Sequence, residues 1–225
     1  VAEVFLGHQV GGYCAVTVVA CLFFGAISGS APATVAAIGG IMIPYMVKAG
    51  YDESFSTGLA AVAGSLGIII PPSIPFVVYG VSTNTSIADL FLSGFVPGIL
   101  IGLALILVSK HICKKNGWKG AERKFTAKEK LEAIKDAVWA IIMPVIILGG
   151  IYGGICTPTE AATVAIYYSI FVGFFIYKEM KLKDIFDILN DTASFVGAVM
   201  LAFAPAAAMG GVLSMLGVPA LVRTM

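Results

Sequence analysis

Polar positions are few in this chain, and they fall in clusters that divide long apolar runs. Residues 1–10 are short and mildly amphipathic, with Glu3, His8 and Gln9 among apolar side chains, a pattern suited to lying along an interface. Gly11-Gly12 breaks it. Residues 13–27 and 33–47 form two apolar arms of about 15 residues, each roughly 22 Å long as a helix against a hydrocarbon core of roughly 30 Å. Between the arms stand Ser28, Gly29, Ser30 and Pro32. Hydroxyls, a glycine and a proline suit a turn with open backbone better than a continuous membrane helix. Two readings are open: a re-entrant hairpin whose arms enter and return on one side, or two ordinary crossings joined by a tight turn. The short arms favour the hairpin, although tilt and local thinning blur length as a criterion. Irregular backbone at membrane depth has to be buried in protein or line a cavity. The tip of this hairpin is therefore expected to bind an ion.

Residues 48–53 are a polar turn, with Asp52 placed as an N-cap. Residues 54–82 read as helix to Leu66 and then as Gly67-Ile-Ile-Ile-Pro71-Pro72-Ser73-Ile-Pro75. Proline lacks an amide donor and clashes with the preceding turn, and it pushes the residue before it towards extended geometry. A discontinuous membrane helix is expected, unwound near its middle, with carbonyls free to face a cation. Residues 83–89 are loop-like, and 90–108 form a spanning helix softened early by Pro97-Gly98.

Residues 110–136 are the main polar stretch. There Lys110, Lys114, Lys115, Lys119, Arg123, Lys124, Lys128, Lys130 and Lys135 outnumber Glu122, Glu129, Glu132 and Asp136. Thr126 and Glu129 have capping-box spacing, and Phe125, Leu131, Ile134 and Val138 roughly follow a helical period. A surface helix is expected to feed the next span. Residues 137–152 and 161–177 are apolar around a turn at 153–160 that holds Thr157, Pro158, Thr159 and Glu160. Residues 178–191 are polar, led by Lys178, Lys181 and Lys183. Residues 192–215 are apolar, interrupted by Pro205 and Gly210-Gly211, and 216–225 begin a further element.

Charge turns this segmentation into a topology. With a cytoplasmic N-terminus, the hairpin returns to the cytoplasm, 54–82 crosses out and 90–108 crosses back. The basic stretches 110–135 and 178–183 then both lie in the cytoplasm, as the positive-inside rule requires. The turn at 157–160 faces the other side. One crossing more or fewer would separate the two lysine clusters.

Composition agrees: 59% of the 225 residues are hydrophobic, 12% are charged and the mean hydropathy is +0.97, values for a polytopic all-α membrane protein. The net charge of +1 gives no overall basic signal for nucleic acid. Cys14, Cys21, Cys113 and Cys156 lie in or beside apolar runs without a CxxC, as small buried hydrophobes do. There is no HExxH, Walker loop or dinucleotide fingerprint. Ser28 as the nucleophile of an intramembrane hydrolase would need a base, and neither His8 nor His111 lies inside a span. An enzyme is not expected. A channel would show a repeated filter or a ring of charges, and neither is visible. Ala33-Thr-Val-Ala36 recurs as Ala162-Thr-Val-Ala165, but the second copy lacks a broken helix at the matching distance.

The Ser28-Gly29-Ser30 tip and the break at 67–75 together form the arrangement with which secondary transporters build ion and substrate sites at mid-membrane. Helix ends and free carbonyls supply partial charges there without burying formal ones. Hard cations prefer oxygen ligands, so two serine hydroxyls and several carbonyls suit Na⁺. The bland alternative is that the serines bond their own turn and the prolines merely kink a helix.

Gly25-Ala-Ile-Ser-Gly-Ser-Ala-Pro-Ala-Thr34, Ile43-Pro-Tyr-Met46 and Gly50-Tyr51 resemble the large membrane subunit of TRAP transporters, the tripartite ATP-independent periplasmic transporters. So do Gly64-Ser-Leu-Gly-Ile-Ile-Ile-Pro-Pro-Ser73-Ile-Pro75, Tyr79-Gly80, Ser86-Ile87, Leu90-Phe91, Pro97-Gly98 and the run Leu148 to Ala162. The resemblance covers essentially the whole chain. It implies an elevator-type, sodium-coupled secondary transporter in a bacterial inner membrane. The substrate would be an organic anion of dicarboxylate, keto acid or sialic acid type, delivered by a periplasmic substrate-binding protein. A small membrane subunit would clamp the scaffold. It places a sodium site on Ser28, Ser30, Gly67, Ile70 and Pro72, and substrate beside Ser28, Gly29, Ser30 and Ser73. It assigns 1–109 to the first inverted repeat, 110–136 to a basic loop and surface helix, and 137–225 to the opening of the second repeat. A complete family member is longer and repeats the hairpin and the broken helix. The chain is therefore expected to be a fragment that does not transport alone, lacking the second sodium site.

Overall fold

A computed structural model describes residues 2–120 and 126–216. All regular structure among them is helical. Glu122, Arg123, Lys124 and Phe125, and the element expected from 216 onwards apart from Leu216, lie outside the described residues. The chain forms two compact units, Val1–Ser169 and Ile170–Met225.

The first unit opens with α1 (Ala2–Leu6) and α2 (Gly12–Ser28). The second helix stops because Gly29 turns left-handed, at φ 62°, and its amide closes onto the Gly25 carbonyl at 2.9 Å. Ser30 is extended, and its hydroxyl accepts the Ala33 amide to start α3 (Ala31–Lys48). Pro32 sits in the first turn of that helix, where its missing amide costs nothing. The helix carries a π turn at Val35–Gly39 and continues through Pro44.

Asp52 caps α4 (Glu53–Gly64) by accepting the Phe55 amide at 2.8 Å, as expected. The helix tightens into a 3₁₀ turn at Ser65–Ile68 and then breaks. It restarts as α5 (Ile74–Thr83), with Ser73 as its cap and Pro75 in the first turn. The backbone of Ser73 (φ −133°, ψ 123°) matches that of Ser30 (φ −132°, ψ 123°). Tip and break thus start their helices with the same Ser-x-Pro device.

Then follow α6 (Ile87–Asn116), α7 (Ala127–Tyr152) and α8 (Pro158–Ile176). Apolar extent and helix extent differ here. The sixth helix runs straight through Pro97 and on through Lys110, Lys114 and Lys115, which the polar pattern alone assigns to a loop. Lysine is a good helix former and is favoured at a helix C-terminus. The expected surface helix and the span after it are one helix, opened by the Thr126–Glu129 capping box. The turn at 153–160 is also shorter than its composition suggests. Thr157 and Glu160 cap each other, through the Glu160 carboxylate on the Thr157 amide at 2.8 Å, and start the eighth helix.

Packing gives the first unit two distinct ends. Gly11 lies against Lys110 and Cys113, Leu22 against Gly102, and Ile70 against Gly98. The hairpin therefore climbs the sixth helix from its C-terminal end, reaching Gly102 through Leu22, and the helix break beside its tip packs on Gly98 through Ile70 and on Gly94 through Ile69 and Phe76. About 10 Å of that helix continues beyond Gly94 to Ile87. At the base, Tyr13, Cys14, Val18, Met46, Tyr51, Leu59 and Cys113 form a buried core, with Trp118 packed on it. The first helix is tied to the same end by Tyr45 donating to Glu3 at 2.7 Å, and the turn after it by Lys110 donating to Gln9 at 3.1 Å. Lys130, at the start of the seventh helix, lies 5.4 Å from the Phe5 ring. At the other end, Phe91, Ile147, Ile151, Ala161 and Ala165 form a second core with Phe76 and Ile87 around it.

In the second unit the eighth helix ends in a π turn at Val172–Ile176, and Gly173 lies against Met180. The unit continues into α9 (Leu182–Met215). Pro205 and Gly210-Gly211 do not interrupt this helix. Proline and glycine are tolerated in membrane helices because nearby groups satisfy the freed backbone.

Among the described residues, four helices are long and apolar enough to cross a membrane: Ala31–Lys48, Ile87–Asn116, Ala127–Tyr152 and Pro158–Ile176. Their outward faces carry large apolar side chains, such as Val96, Leu100, Leu103 and Leu107 along the sixth helix. Cys14, Cys21 and Cys113 are buried free thiols.

Candidate functional site

The hairpin tip and the helix break touch. The Ile74 amide donates to the Gly29 carbonyl at 3.2 Å. Gly29 lies so close to the break that a Cβ there would sit 2.8 Å from the Pro72 carbonyl oxygen. Only glycine combines that approach with a left-handed backbone. One turn earlier, Gly67 packs on the tip from the other side. A Cβ on Gly67 would stand 2.4 Å from the Thr34 hydroxyl and 3.0 Å from the Ser30 carbonyl oxygen. Two stretches far apart in sequence thus share one backbone interface.

Three prolines strip that interface of helix bonds. An α-helical carbonyl accepts from the amide four residues on. For Gly67, Ile68 and Pro71 that residue is Pro71, Pro72 and Pro75, which have no amide to give. The amides of Ile74 and Phe76, which would serve Ile70 and Pro72, turn instead to the Gly29 carbonyl and the Ser73 hydroxyl. The Ser73 hydroxyl donates to the Ile68 carbonyl at 2.7 Å. The helical partners of Gly67, Ile70 and Pro72 are thereby removed or diverted.

The tip adds hydroxyls. Ser28 lies 3.2 Å from Thr34 Oγ1 and 3.3 Å from the Ser30 carbonyl, and it accepts the Ser30 amide at 3.3 Å. Thr34 donates to the Ser30 carbonyl at 2.7 Å. Ser30, Ser73 and Thr34 are buried, and Ser28 is half-buried. Among the described residues no three His, Cys, Asp or Glu side chains gather where they could hold a metal ion. An ion at this interface would meet neutral oxygens: hydroxyls from the tip and carbonyls from the break. The N-termini of the third and fifth helices start at Ser30 and Ser73, and such ends carry partial positive charge that favours an anion. The same interface can therefore serve a cation beside the carbonyls and an anion beside the two caps.

Of the residues expected from sequence, Ser28, Gly29, Ser30, Gly67, Pro72 and Ser73 belong to this contact zone. The side chain of Ile70 turns away to pack on Gly98 of the sixth helix. Thr34 was not expected. It is fully buried and joins both serines to Gly67. Its signal in the sequence is a hydroxyl one helical turn after the Ser30 cap, in an otherwise apolar first turn.

The profile of the family described as tripartite ATP-independent periplasmic transporter, DctM component, matches residues 1–225. The isethionate TRAP transporter permease protein DctMQ of Oleidesulfovibrio alaskensis is 46% identical over 218 residues, covering 97% of this chain and 34% of that protein. The C4-dicarboxylate TRAP transporter large permease protein DctM of Vibrio cholerae is 51% identical over 187 residues, 80% of this chain and 39% of that protein. The sialic acid TRAP transporter permease protein SiaT of Haemophilus influenzae is 42% identical over 200 residues, 89% of this chain and 32% of that protein. The chain spans about a third of the length of these relatives, from 32% to 39%.

Proposed function

The chain belongs to the DctM component family of tripartite ATP-independent periplasmic transporters, integral membrane transport proteins and not enzymes, and from that premise we propose that it is part of the large permease subunit of a sodium-coupled importer of organic anions. The observation that carries this reading is the contact of Gly29 and Ser30 with Pro72–Ile74 and Gly67. It gathers neutral oxygens suited to Na⁺ and two helix N-termini suited to a carboxylate or sulfonate. Ser28, Ser30, Gly67, Ile70 and Pro72 hold the sodium ion. Ser28, Gly29, Ser30 and Ser73 face the anion. Isethionate, C4-dicarboxylate and sialic acid, the compounds named in the three relatives, are all organic anions.

The hairpin is re-entrant in this reading. The break that its tip touches packs on Gly98 and Gly94, about 10 Å of helix short of Ile87, which supports a tip held inside the bilayer. The hairpin and broken helix move as one body in an elevator-type cycle, within a first repeat of 1–109. The basic stretch 110–136, from the end of the sixth helix to the opening turns of the seventh, separates this repeat from a second one that 137–225 open. The basic stretches 110–135 and 178–183 face the cytoplasm, and the protein resides in the inner membrane. The partners are a small membrane subunit and a periplasmic substrate-binding protein. The tripartite description of the family supports both.

The test is uptake by the complete permease, reconstituted with its small subunit and binding protein. Uptake is expected only with an inward sodium gradient and only with binding protein present. Equal uptake in sodium-free buffer overturns the coupling. Uptake without binding protein overturns the tripartite reading.

A further inference from the structure

We infer that Thr34 is a positioning residue that sets the direction of the Ser28 hydroxyl, so that its lone pair and not its proton faces the ion. The inference rests on the sodium reading above and concerns a side chain outside the proposed ligand set. A hydroxyl has one proton to give and two lone pairs to offer. Thr34 spends its proton on the Ser30 carbonyl, at 2.7 Å the shortest bond in the cluster. In the 3.2 Å contact between Thr34 and Ser28, Ser28 is therefore the donor. Among the described residues the one other acceptor for that proton is the Ser30 carbonyl at 3.3 Å, beside Thr34. Either way the Ser28 proton points into the tip. One of its lone pairs takes the Ser30 amide at 3.3 Å, and the other is left for an ion.

The same geometry removes one oxygen from the set of ligands. The Ser30 carbonyl already takes the Thr34 amide at 3.0 Å and the Thr34 hydroxyl, with Ser28 close by. A carbonyl has two lone pairs, so Ser30 contributes its side chain and not its backbone oxygen. Gly67 completes the arrangement by leaving Thr34 room: a Cβ on Gly67 would stand 2.4 Å from its hydroxyl. Without the Thr34 hydroxyl, the Ser28 rotor loses its inward acceptor, and the Ser30 carbonyl is freed to compete for the ion or for the Ser28 proton.

The experiment titrates sodium against uptake in the complete reconstituted permease carrying Thr34→Val, Thr34→Ser or Thr17→Val. Thr17 is an equally buried threonine at the hairpin base, bonded to the Tyr13 carbonyl and Met46. Thr34→Val keeps the volume and is expected to raise the sodium concentration for half-maximal uptake about tenfold, the affinity equivalent of one lost hydrogen bond. The maximal rate recovers at saturating sodium. Thr34→Ser restores the wild-type value, and Thr17→Val leaves it unmoved. If Thr34→Val does not accumulate, Thr34→Cys is measured, with a shift in the same direction expected from its weaker donor. An unchanged half-saturation in a folded Thr34 variant, or a shift matched by Thr17→Val, overturns the inference while leaving the sodium reading intact. Sodium-independent uptake by the wild type overturns that reading, and the inference with it.

Discussion

The base and the tip of the hairpin are made of different materials. At the base, Tyr13 meets Tyr45 at 5.1 Å and Tyr51 at 5.9 Å between ring centroids, Tyr51 stacks on Trp118 at 5.3 Å, and the Cys14 and Cys113 thiols lie 3.4 Å apart. At the tip, between Ser28 and Thr34, there is no aromatic ring and no side chain larger than proline or threonine. The base is held by packing of large side chains, whose removal costs a few kcal/mol each. The tip is held by hydrogen bonds, with a net worth of about 1 kcal/mol each. One end can stand without a ligand. The other leaves oxygens that an ion would complete. Stability and ion dependence are therefore expected to separate along one helical hairpin.

Gly67→Val attacks the tip hardest. Its branched side chain enters space held by the Thr34 hydroxyl and the Ser30 carbonyl and is expected to pry tip from break. Uptake should vanish while the protein still reaches the membrane; surviving uptake would mean that the two need not touch. Next in size is Met46→Ala at the base, where the side chain is fully buried. It is expected to cost about 2–5 kcal/mol, read as a lower thermal midpoint, with the sodium half-saturation of the surviving protein unchanged. A large shift in sodium dependence there would erase the distinction between base and tip. Ser28→Ala should do the reverse: a clear loss of sodium affinity, with sodium-free stability lowered by only about 1 kcal/mol, the net worth of a tip hydrogen bond. The smallest effect belongs to Asp52→Ala. It removes a helix cap at the base end for about 1 kcal/mol and should leave transport kinetics alone.

The local chemistry of this molecule was legible in its sequence. Asp52 and Thr126 announce their helices because capping is settled within three residues. Pro71, Pro72 and Pro75 announce the break because each removes a donor from a named carbonyl. Helix ends written in charge were misread. Lys110 to Asn116 continue the sixth helix, since polarity marks the edge of the apolar medium and not the end of a helix. Pro205 was misread for a related reason, because a membrane helix carries a proline that would break a soluble one. The capping box at Thr157 and Glu160 was overlooked behind its neighbouring glycines. The contacts of Gly29 with Ile74 and of Thr34 with Gly67 are long-range, fixed by how two separate turns nest, and no local pattern contains them.

That nesting is the centre of the account, and binding of radiolabelled sodium to the purified complete permease tests it most directly. Wild type is compared with a variant carrying Ser28→Leu and Ser30→Leu. The variant should elute at the same size and lose one saturable component of sodium binding. Saturable binding identical to wild type, in a variant with an intact elution profile, would contradict the assignment of the ion to the hairpin tip.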